Sequence, residues 1–500
     1  MKLISAKTMF ALAVSAASIT AAVPTLAQDS LTIGVVSDPV TLDPAAMASF
    51  FEVSVQYALH EPLLHSTPEL NVEPGLASYD QIDATTYNFT LREGLTFHDG
   101  TVLDAVAVKA NFDYMLDAQN GSPRRNELGP IKSVEVTGDR TFTIKLESPF
   151  APLLQVLSNR AGMMVSPAAR AALGDDFASK SAGAGPYKVA QWDKNSQLVL
   201  EAFDGYWRGE PEIKTVVYQP IADEAVRLTN LRSGAVQLVD TVPPQAVAQL
   251  ETDASVIVKQ TPGVGFNAFA FNTTKAPFND VKVRNAFQRA IDQNAILQAV
   301  YFGYGDVAYG AIPPAHQWVY DADFKPFTYD AEAAKALLAE AGVTTPVNVA
   351  ITVTNTPAQV RTAEVMQAMA SQAGFNVTIN QIDSSSLISV LREGGFDLAA
   401  SPWSGRTDPD ANMFNYFTIG GSNNFAGYES EAVDRLLRQA RGETDQAARA
   451  ALYRQIEQTL AEDAPLLFVS HPTTIQASVA NLDWQQWPDG TLRPQFAQFE

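Results

Sequence analysis

The amino-acid sequence predicts a mixed fold of the α/β or α+β class, divided into more than one domain. Residues 86–91 and 142–146 alternate large apolar side chains with polar ones, which is the period-two pattern of a half-buried strand. Residues 334–341 instead place apolar side chains at i, i+3, i+4 and i+7, as on one face of a helix. The chain has 500 residues, whereas a typical domain has about 150.

The elements of the first half follow from local sequence. Residues 31–36 form a short apolar strand, and the turn-forming Leu42-Asp43-Pro44 comes after it. Asp104 can cap a helix whose core face carries apolar residues at helical spacing. The strand 142–146 then follows the turn residues Thr137-Gly138-Asp139.

The second half is more helical. Asp330 can cap the helix across 334–341, and Gly342 can end it. Ser430 begins another helix, and a third helix precedes the apolar strand 466–469. Strands and helices therefore mix along the whole chain.

Two extended segments bear on domain organisation. Residues 264–272 lie near the middle of the chain and residues 468–477 near its end. Neither segment is flanked by a Pro/Gly/Ser linker of the kind that separates independent domains. Two domains joined by a pair of strand crossovers would give this arrangement.

Composition excludes several classes of function. The formal net charge is −21, from 34 basic and 55 acidic residues. Nucleic acids and anionic membranes are bound through basic surfaces, so neither is an expected partner. The chain has no cysteine, which excludes thiol nucleophiles, disulfides, thiolate zinc sites and iron–sulfur clusters.

The first 27 residues have the pattern of a secretory signal. Residues 1–27 contain, in order, two lysines, the apolar stretch 9–23 and small residues before Gln28. The apolar stretch is too short to span a bilayer, and no cysteine near the cleavage point could carry a lipid anchor. We therefore expect export to the bacterial periplasm, and a buried N-terminal helix is the alternative.

Motifs for catalysis or metal binding are incomplete. His60 and His65 are five residues apart, where a zincin helix needs four, and a proline lies between them. Residues 408–412 resemble the start of a calcium loop, but Met413 and Ile419 replace its required Gly and Glu. No G-x-S-x-G, S-x-x-K or Walker motif occurs. We therefore expect no catalytic residues, metal or cofactor.

One run of the sequence resembles a known family. Residues 91–100, LREGLTFHDG, resemble the signature of extracytoplasmic solute-binding proteins of the peptide/nickel class, which serve ABC importers. Six further motifs of this class follow the same order along the chain. They are Leu42-Asp43-Pro44, His60-Glu61-Pro62-Leu63-Leu64, Gly183-Ala184-Gly185-Pro186-Tyr187, Tyr206-Trp207-Arg208-Gly209, Phe271-Asn272 with Pro277-Phe278 and Val283-Arg284, and Trp403-Ser404-Gly405-Arg406 with Asp408-Pro409-Asp410.

The resemblance implies an α/β, two-lobed periplasmic-binding-protein fold. Its two hinged lobes are joined by two strand crossovers, for which the two extended segments are in suitable places. Lobe I would comprise residues 28–263 and 478–500, with a subdomain inserted at about 75–180. Lobe II would comprise residues 264–477.

The resemblance also implies a function. The protein would be a monomeric, periplasmic, non-enzymatic component of an ABC importer. It would capture a peptide or a peptide-sized polar solute between the lobes, close around it, and deliver it to the permease in the membrane. A secreted hydrolase on a similar scaffold is the alternative.

By resemblance, the loop 403–410 lines the cleft from lobe II. Trp403 is either a stacking wall for the solute or a core anchor, and Asp408 is a second ligand candidate. In peptide-binding relatives an Asp after W-x-G takes the α-amino group, but this chain has Arg406 there. An Arg suits a carboxylate or phosphate, which suggests an anionic, acylated or sugar-bearing solute, or a peptide held differently. An internal ion pair of Arg406 with Asp408 or Asp410 is the alternative.

Five further residues are ligand candidates. Arg361 lies near a helix start where relatives can place an Arg for a carboxylate, and a solvated charge is its alternative role. Phe50 and Phe51 follow the Leu-Asp-Pro turn and would face the cleft from lobe I, or belong to the core. Asn267 and Phe269 lie on alternate positions of the first extended segment.

Overall fold

The computed structural model describes residues 29–49 and 52–500. The predicted signal, residues 1–27, lies outside the described residues, as do Phe50 and Phe51. Within these two ranges the chain forms three sheets of four or more strands and two short two-stranded pairs.

The strands of these sheets and pairs are distributed along the whole of the described chain. In chain order they are β1 Ser30–Val35, β2 Leu64–Ser66, β3 Val72–Pro74, β4 Ala77–Asp83, β5 Thr86–Leu91, β6 Ile131–Val136, β7 Thr141–Leu146, β8 Tyr187–Asp193, β9 Gln197–Ala202, β10 Thr215–Pro220, β11 Leu238–Val239, β12 Val256–Pro262, β13 Asn267–Phe271, β14 Asp306–Val307, β15 Val347–Thr354, β16 Phe375–Ile382, β17 Leu398–Ala400, β18 Leu466–His471, β19 Thr473–Val479, β20 Leu482–Asp483 and β21 Gln498–Phe499.

The α-helices pack around these sheets. They are α1 Val53–Leu59, α2 Ala105–Leu116, α3 Arg124–Glu127, α4 Leu153–Leu157, α5 Pro167–Leu173, α6 Glu224–Arg232, α7 Pro244–Leu250, α8 Val281–Arg289, α9 Gln293–Tyr301, α10 Ala331–Glu340, α11 Pro357–Gln372, α12 Leu387–Glu393, α13 Asp410–Phe417, α14 Glu431–Gly442 and α15 Gln446–Asp463. None of the described helices has both the length and the apolar character needed to cross a membrane.

The first lobe is built on a seven-stranded sheet of order β12-β19-β11-β1-β10-β9-β8. Strand β1 lies at its centre, parallel to both β10 and β11. Leu31 and Ile33 lie on the same face of β1 and are fully buried in the core of this lobe. The C-terminal residues Leu482 and Leu492 pack into the same core, so the chain returns to this lobe at its end.

A subdomain with its own core is inserted into the first lobe. It is an antiparallel sheet of order β4-β5-β7-β6, against which α2 packs. Strand β5 alternates buried and exposed residues, as its period-two sequence predicts. The aromatic rings of Phe89 and Phe142 stack between adjacent strands with their centroids 5.0 Å apart. The subdomain presents α3, α4 and the residues near them to the second lobe.

The second lobe is built on a six-stranded sheet of order β14-β18-β13-β17-β15-β16. Strand β15 runs parallel to β16 and β17, and β13 lies antiparallel between β17 and β18. Helices α8 to α11 cover one face of this sheet, and α12 to α15 cover the other. Strand β13 is therefore buried on both faces.

In the described ranges, two short connections join the lobes. The first runs from β12 to β13 through residues 263–266, and the second runs from β18 to β19 through Pro472. The predicted lobe boundaries stay a prediction. Because β19 pairs with β12 and β11 of the first lobe, the sheets favour placing the second boundary at Pro472.

The predicted helix starts are confirmed by their caps. Asp104 accepts a hydrogen bond from the Ala107 amide at 2.8 Å, and α2 begins at the next residue. Asp330 caps α10 in the same way, and Ser430 caps α14. The predicted mixed α/β class, with two lobes and an inserted subdomain, is thus the class that the chain adopts.

Candidate ligand-binding cleft

A cavity of about 130 Å³ lies where the inserted subdomain meets the second lobe. Both sides contribute polar and aromatic side chains to its wall. From the subdomain come Asn126, Glu127, Phe150, Pro152, Gln155, Val156, Asn159 and Arg160, and from the second lobe Trp403, Arg406, Thr407, Asp408, Asp410, Ala411, Asn415 and Arg441. We call this space the cleft cavity.

Hydrogen bonds connect the two sides of the cleft cavity. The Gln155 side-chain amide donates to the Thr407 carbonyl at 3.2 Å, and the Ala151 amide donates to the Arg441 carbonyl at 2.8 Å. The lobes are therefore in contact around the cavity.

The loop that carries Trp403 is attached to the first connection between the lobes. The Phe266 amide donates to the Trp403 carbonyl at 3.0 Å, and the Trp403 amide donates to the Phe266 carbonyl at 2.9 Å. Gly405 has φ +78°, and a Cβ on it would lie 2.0 Å from the Val264 carbonyl oxygen. Only a glycine allows the loop to approach the connection this closely.

Asn412 holds two residues of the cavity wall in place, and the sequence did not single it out for this role. Its side-chain amide donates to the Val264 carbonyl at 2.9 Å and to the Ala311 carbonyl at 3.3 Å. Its side-chain oxygen accepts from the Trp403 indole at 2.8 Å and from the Arg406 amide at 3.2 Å. Asn412 is fully buried, so it fixes both cavity residues to the connection between the lobes. Its position in the calcium-like run 408–412 was the only signal in the sequence.

Trp403 lies at the cavity wall and is itself packed. Its ring meets Tyr416 edge to face with centroids 5.5 Å apart, while the Arg406 guanidinium carbon lies 4.6 Å from the ring centroid. The indole is half-buried, so the side chain is anchored by the core and also lines the cavity.

Arg406 has no carboxylate partner among the described residues. Its Nη1 donates to the Gly405 carbonyl at 2.5 Å and to the Ser404 hydroxyl at 3.2 Å. Burial, together with the charge of Arg160, lowers the pKa of Arg406 to about 9. The alternative in which Arg406 pairs with Asp408 or Asp410 is wrong, because other arginines bind both carboxylates.

Those two carboxylates are buried, and each forms an ion pair with another arginine. Asp408 accepts from Arg449 at 2.6 and 2.8 Å, and Asp410 accepts from Arg441 at 2.6 to 3.2 Å. Burial would raise the pKa of Asp408, but the Arg449 guanidinium outweighs it and holds that pKa below its usual value. Asp408 therefore lines the cavity with its charge already paired by Arg449.

The subdomain side of the cavity is also rich in arginine. Arg160 donates to both carboxylate oxygens of Glu127, at 2.5 and 3.2 Å. Arg124 lies 3.2 Å from the same carboxylate and is 1% exposed. Burial would raise the pKa of Glu127, but Arg124, Arg160 and Arg406 together lower it to about 2. Glu127 therefore pairs with two arginines of the subdomain and also feels the charge of Arg406 from the second lobe.

The other predicted ligand residues lie elsewhere. Arg361 is exposed and lines a separate cavity of about 770 Å³ near Pro472, which shares no lining residue with the cleft cavity. Asn267 donates to the Ser470 hydroxyl at 3.1 Å, within the sheet. Phe269 is 4% exposed in the core of the second lobe, so its predicted role as a ligand residue is not supported.

The histidine pair that resembled a zinc motif is structural. His65 and Trp207 both hydrogen-bond one carboxylate oxygen of Glu61, at 2.6 and 2.7 Å, and His60 bonds to the Leu42 carbonyl at 2.9 Å. Burial lowers the pKa of His60 to about 3. In the described part of the chain, no group of three or more metal-binding side chains is placed to hold a metal ion.

Comparison with known proteins places this two-lobed fold in a family. The model of the bacterial extracellular solute-binding proteins, family 5 Middle, matches residues 71–425. The chain belongs to this family. Family 5 proteins are binding proteins, so the comparison gives no support to the hydrolase alternative.

Among curated family 5 proteins, the chain is similar to glutathione-binding protein GsiB. Identity is 27% over 471 residues with the protein of Shigella dysenteriae, covering 91% of each chain. With that of Pectobacterium atrosepticum it is 28% over 484 residues, covering 93% of this chain and 94% of the relative.

The chain is also similar to periplasmic binding proteins of solved structure. The periplasmic binding protein AgaA of A. tumefaciens R10, in complex with agropinic acid, matches with a TM-score of 0.82 and 27% identity, covering 94% of this chain and 99% of that one. DppA of Helicobacter pylori, in complex with the peptide STSA, matches with a TM-score of 0.82 and 25% identity, covering 94% and 98%. The two ligands were bound by those proteins, whose fold this chain shares.

Proposed function

We propose that this protein is the periplasmic substrate-binding component of an ABC importer for a peptide or a peptide-sized polar solute. The observation that carries the proposal is the cleft cavity itself, whose wall is divided between the subdomain and the second lobe. A solute that contacts both sides is bound best when the lobes are closed, and this preference drives closure. The closed form then delivers the solute to the permease in the membrane.

The relatives support this class of solute. GsiB is named for glutathione, and the DppA structure contains a four-residue peptide. AgaA binds agropinic acid, which extends the range of related proteins beyond simple peptides. Because Arg406 stands where a peptide α-amino group would need an acid, the solute is held differently from a simple free peptide.

Two residues are the main ligand contacts in this proposal. Trp403 supplies a flat wall, and the Nε and Nη2 groups of Arg406 have no hydrogen-bond partner among the described residues. Arg361 is a further candidate in its separate cavity, for a solute that reaches beyond the cleft cavity. We also propose that residues 1–27 direct export to the periplasm and that the protein acts as a monomer.

The test is native mass spectrometry of the mature protein, purified gently from an exporting host, with a denaturing control. An adduct that is lost on denaturation, on a monomeric protein, supports the proposal, and its mass begins to identify the solute. A bare protein is then screened by thermal shift with dipeptides, oligopeptides, acidic sugars and metal chelates. The proposal would be overturned if the protein carried no adduct and no compound of the panel raised its melting temperature. Steady product formation from a bound candidate would overturn it as well.

A further inference from the structure

We infer that the solute carries an anionic group that binds between Arg406 of the second lobe and Arg160 of the subdomain, as the counter-ion that allows the lobes to close. This inference rests on the proposed function and specifies its substrate class, an acidic peptide or a similar acidic solute. It comes from the distribution of charge around the cleft cavity.

Most acids at the cavity wall already have a full partner. Asp408 is bound by Arg449 and Asp410 by Arg441, each through two nitrogens or more. In a small neighbouring cavity of about 20 Å³, Asp489 likewise pairs with Arg493 at 3.1 Å. These acids are therefore not available to neutralise additional arginines.

Three further arginines lie near the cleft cavity, and Glu127 is the acid next to them. Arg124 and Arg160 pair with Glu127 and have no other carboxylate within 4.0 Å, and Arg406, whose charge also acts on Glu127, has no carboxylate within 4.0 Å among the described residues. Positive charge therefore exceeds negative charge at this point of the cleft. An unpaired charge is costly to bury, so the closed cleft favours an additional anion.

Glu52 does not remove this excess. It is 2% exposed and lies near Arg124, but its carboxylate accepts from the backbone amides of Val40, Thr41 and Ser49. Even when Glu52 is counted, the positive charges of the three arginines exceed the negative charges by one.

Arginine N–H groups without an acceptor also lie between the two sides of the cleft. Arg160 uses Nε and Nη2 on Glu127, which leaves Nη1 without a hydrogen-bond partner in the described chain. Arg406 uses only Nη1, so its Nε and Nη2 are free as well. Behind them, Arg124 is almost fully buried, and its Nε makes no hydrogen bond, while its Nη1 lies 3.2 Å from a Glu127 oxygen. Arg160 and Arg406 both line the cleft cavity and the small neighbouring one, so an anion between them would reach both spaces.

The arginines come from opposite sides of the cleft. Arg124 and Arg160 belong to the subdomain, whereas Arg406 belongs to the second lobe, so closure brings like charges together. The lowered pKa values of Arg124, to about 10, and of Arg406, to about 9, reflect burial first and the neighbouring arginines in addition. An anion between the lobes replaces this repulsion by attraction, which couples closure to an acidic solute.

The first experiment needs no solute. Small-angle X-ray scattering is compared for the wild type, Arg406→Glu and Arg406→Gln, with circular dichroism to check folding. We expect the wild type to be open, Arg406→Glu to have a smaller radius of gyration because its carboxylate serves as the counter-ion, and Arg406→Gln to lie between them. The exposed Arg435→Glu, which makes the same charge change in the second lobe, should match the wild type. The inference is overturned if Arg406→Glu stays as open as the wild type, or if the wild type is already as compact.

The second experiment uses matched probes. Calorimetric titration compares glutathione and the C-terminal amide Ala-Glu-NH2 with Ala-Gln-NH2, which has the same shape but carries no carboxylate. We expect the acidic probes to bind, Ala-Gln-NH2 to bind roughly tenfold more weakly or not at all, and Arg406→Gln to remove that difference. Equal binding of Ala-Glu-NH2 and Ala-Gln-NH2 contradicts the inference while leaving the proposed function intact. If no solute of any charge binds, the proposed function fails, and the scattering result alone decides the charge coupling.

Discussion

Phe266 and Trp403 exchange two backbone hydrogen bonds, at 3.0 and 2.9 Å, across the point where the first connection enters the second lobe. Residues 263–266 are one of the two connections that must bend when the lobes move. Because Trp403 also lines the cleft cavity, the wall of the site is attached to the hinge itself. Changes at this contact should therefore affect solute binding as well as folding.

Gly265→Ala tests this attachment. A Cβ on Gly265 would lie 2.2 Å from the Trp403 carbonyl oxygen and 2.8 Å from the Ser404 carbonyl carbon, so the loop must move away. We expect the free energy of unfolding in urea to fall by roughly 1–3 kcal/mol, and solute retention in native mass spectrometry to be lost. Gly395→Ala is the matched control, since a Cβ there meets no atom within 4 Å. Equal behaviour of the two variants would show that the close approach is unimportant.

Asn412→Ala should destabilise the loop that forms the cavity wall. The substitution leaves the Trp403 indole and the Val264 carbonyl without their partner in a fully buried position. Each unsatisfied buried group costs about 1–3 kcal/mol, so we expect a loss of at least about 2 kcal/mol in urea unfolding, and a weaker solute complex. Asn415→Ala, on the same helix at the cavity wall, is the comparison. A stability equal to that of the wild type would show that Asn412 does not hold the loop.

Local features of the fold were predictable from the sequence. A helix cap such as Asp104 acts on an amide three residues away, so its effect is readable in a short window. The strand 86–91 could also be predicted from a short stretch of sequence, because one face of β5 is buried and the other is exposed, which gives alternating apolar and polar residues.

The candidate site was only partly predictable, because its parts are distant in sequence. Arg160 and Arg406 meet across the cleft, and nothing near either residue indicates the other. Arg406 was found through a motif, whereas Arg124 and Glu127 lie in the subdomain without one.

Phe269 shows a different limit of sequence reasoning. Alternation along a strand separates an inner face from an outer face only when one face is open. Strand β13 lies between β17 and β18 with helices on both faces, so four of its five residues are buried. Position along that strand therefore did not indicate contact with a solute.

Asp408→Asn should destabilise the protein strongly. It removes the carboxylate from a pair that Arg449 makes with two nitrogens, at 2.6 and 2.8 Å, and leaves a buried arginine unpaired. We expect a loss of about 3–5 kcal/mol in urea unfolding at neutral pH. Asp176 pairs with Lys180 at an exposed position, and Asp176→Asn should cost less than about 1 kcal/mol. Similar losses in the two variants would contradict the assigned role of burial.

Glu457 should make stability depend on pH. It is 5% exposed, accepts from the Ile312 amide at 3.3 Å and has no ion-pair partner among the described residues, and burial raises its pKa from 4.5 to about 8. Between these two values the folded state holds a proton that the unfolded state has released, so the free energy of unfolding falls as pH rises. Glu457→Gln cannot titrate, so between pH 5 and pH 8 it should gain roughly 2–4 kcal/mol in urea unfolding relative to the wild type. Glu462→Gln, at an exposed position on the same helix, should follow the wild type. Parallel pH profiles for the wild type and Glu457→Gln would mean that Glu457 is ionised at neutral pH with a partner or solvent that stabilises its charge.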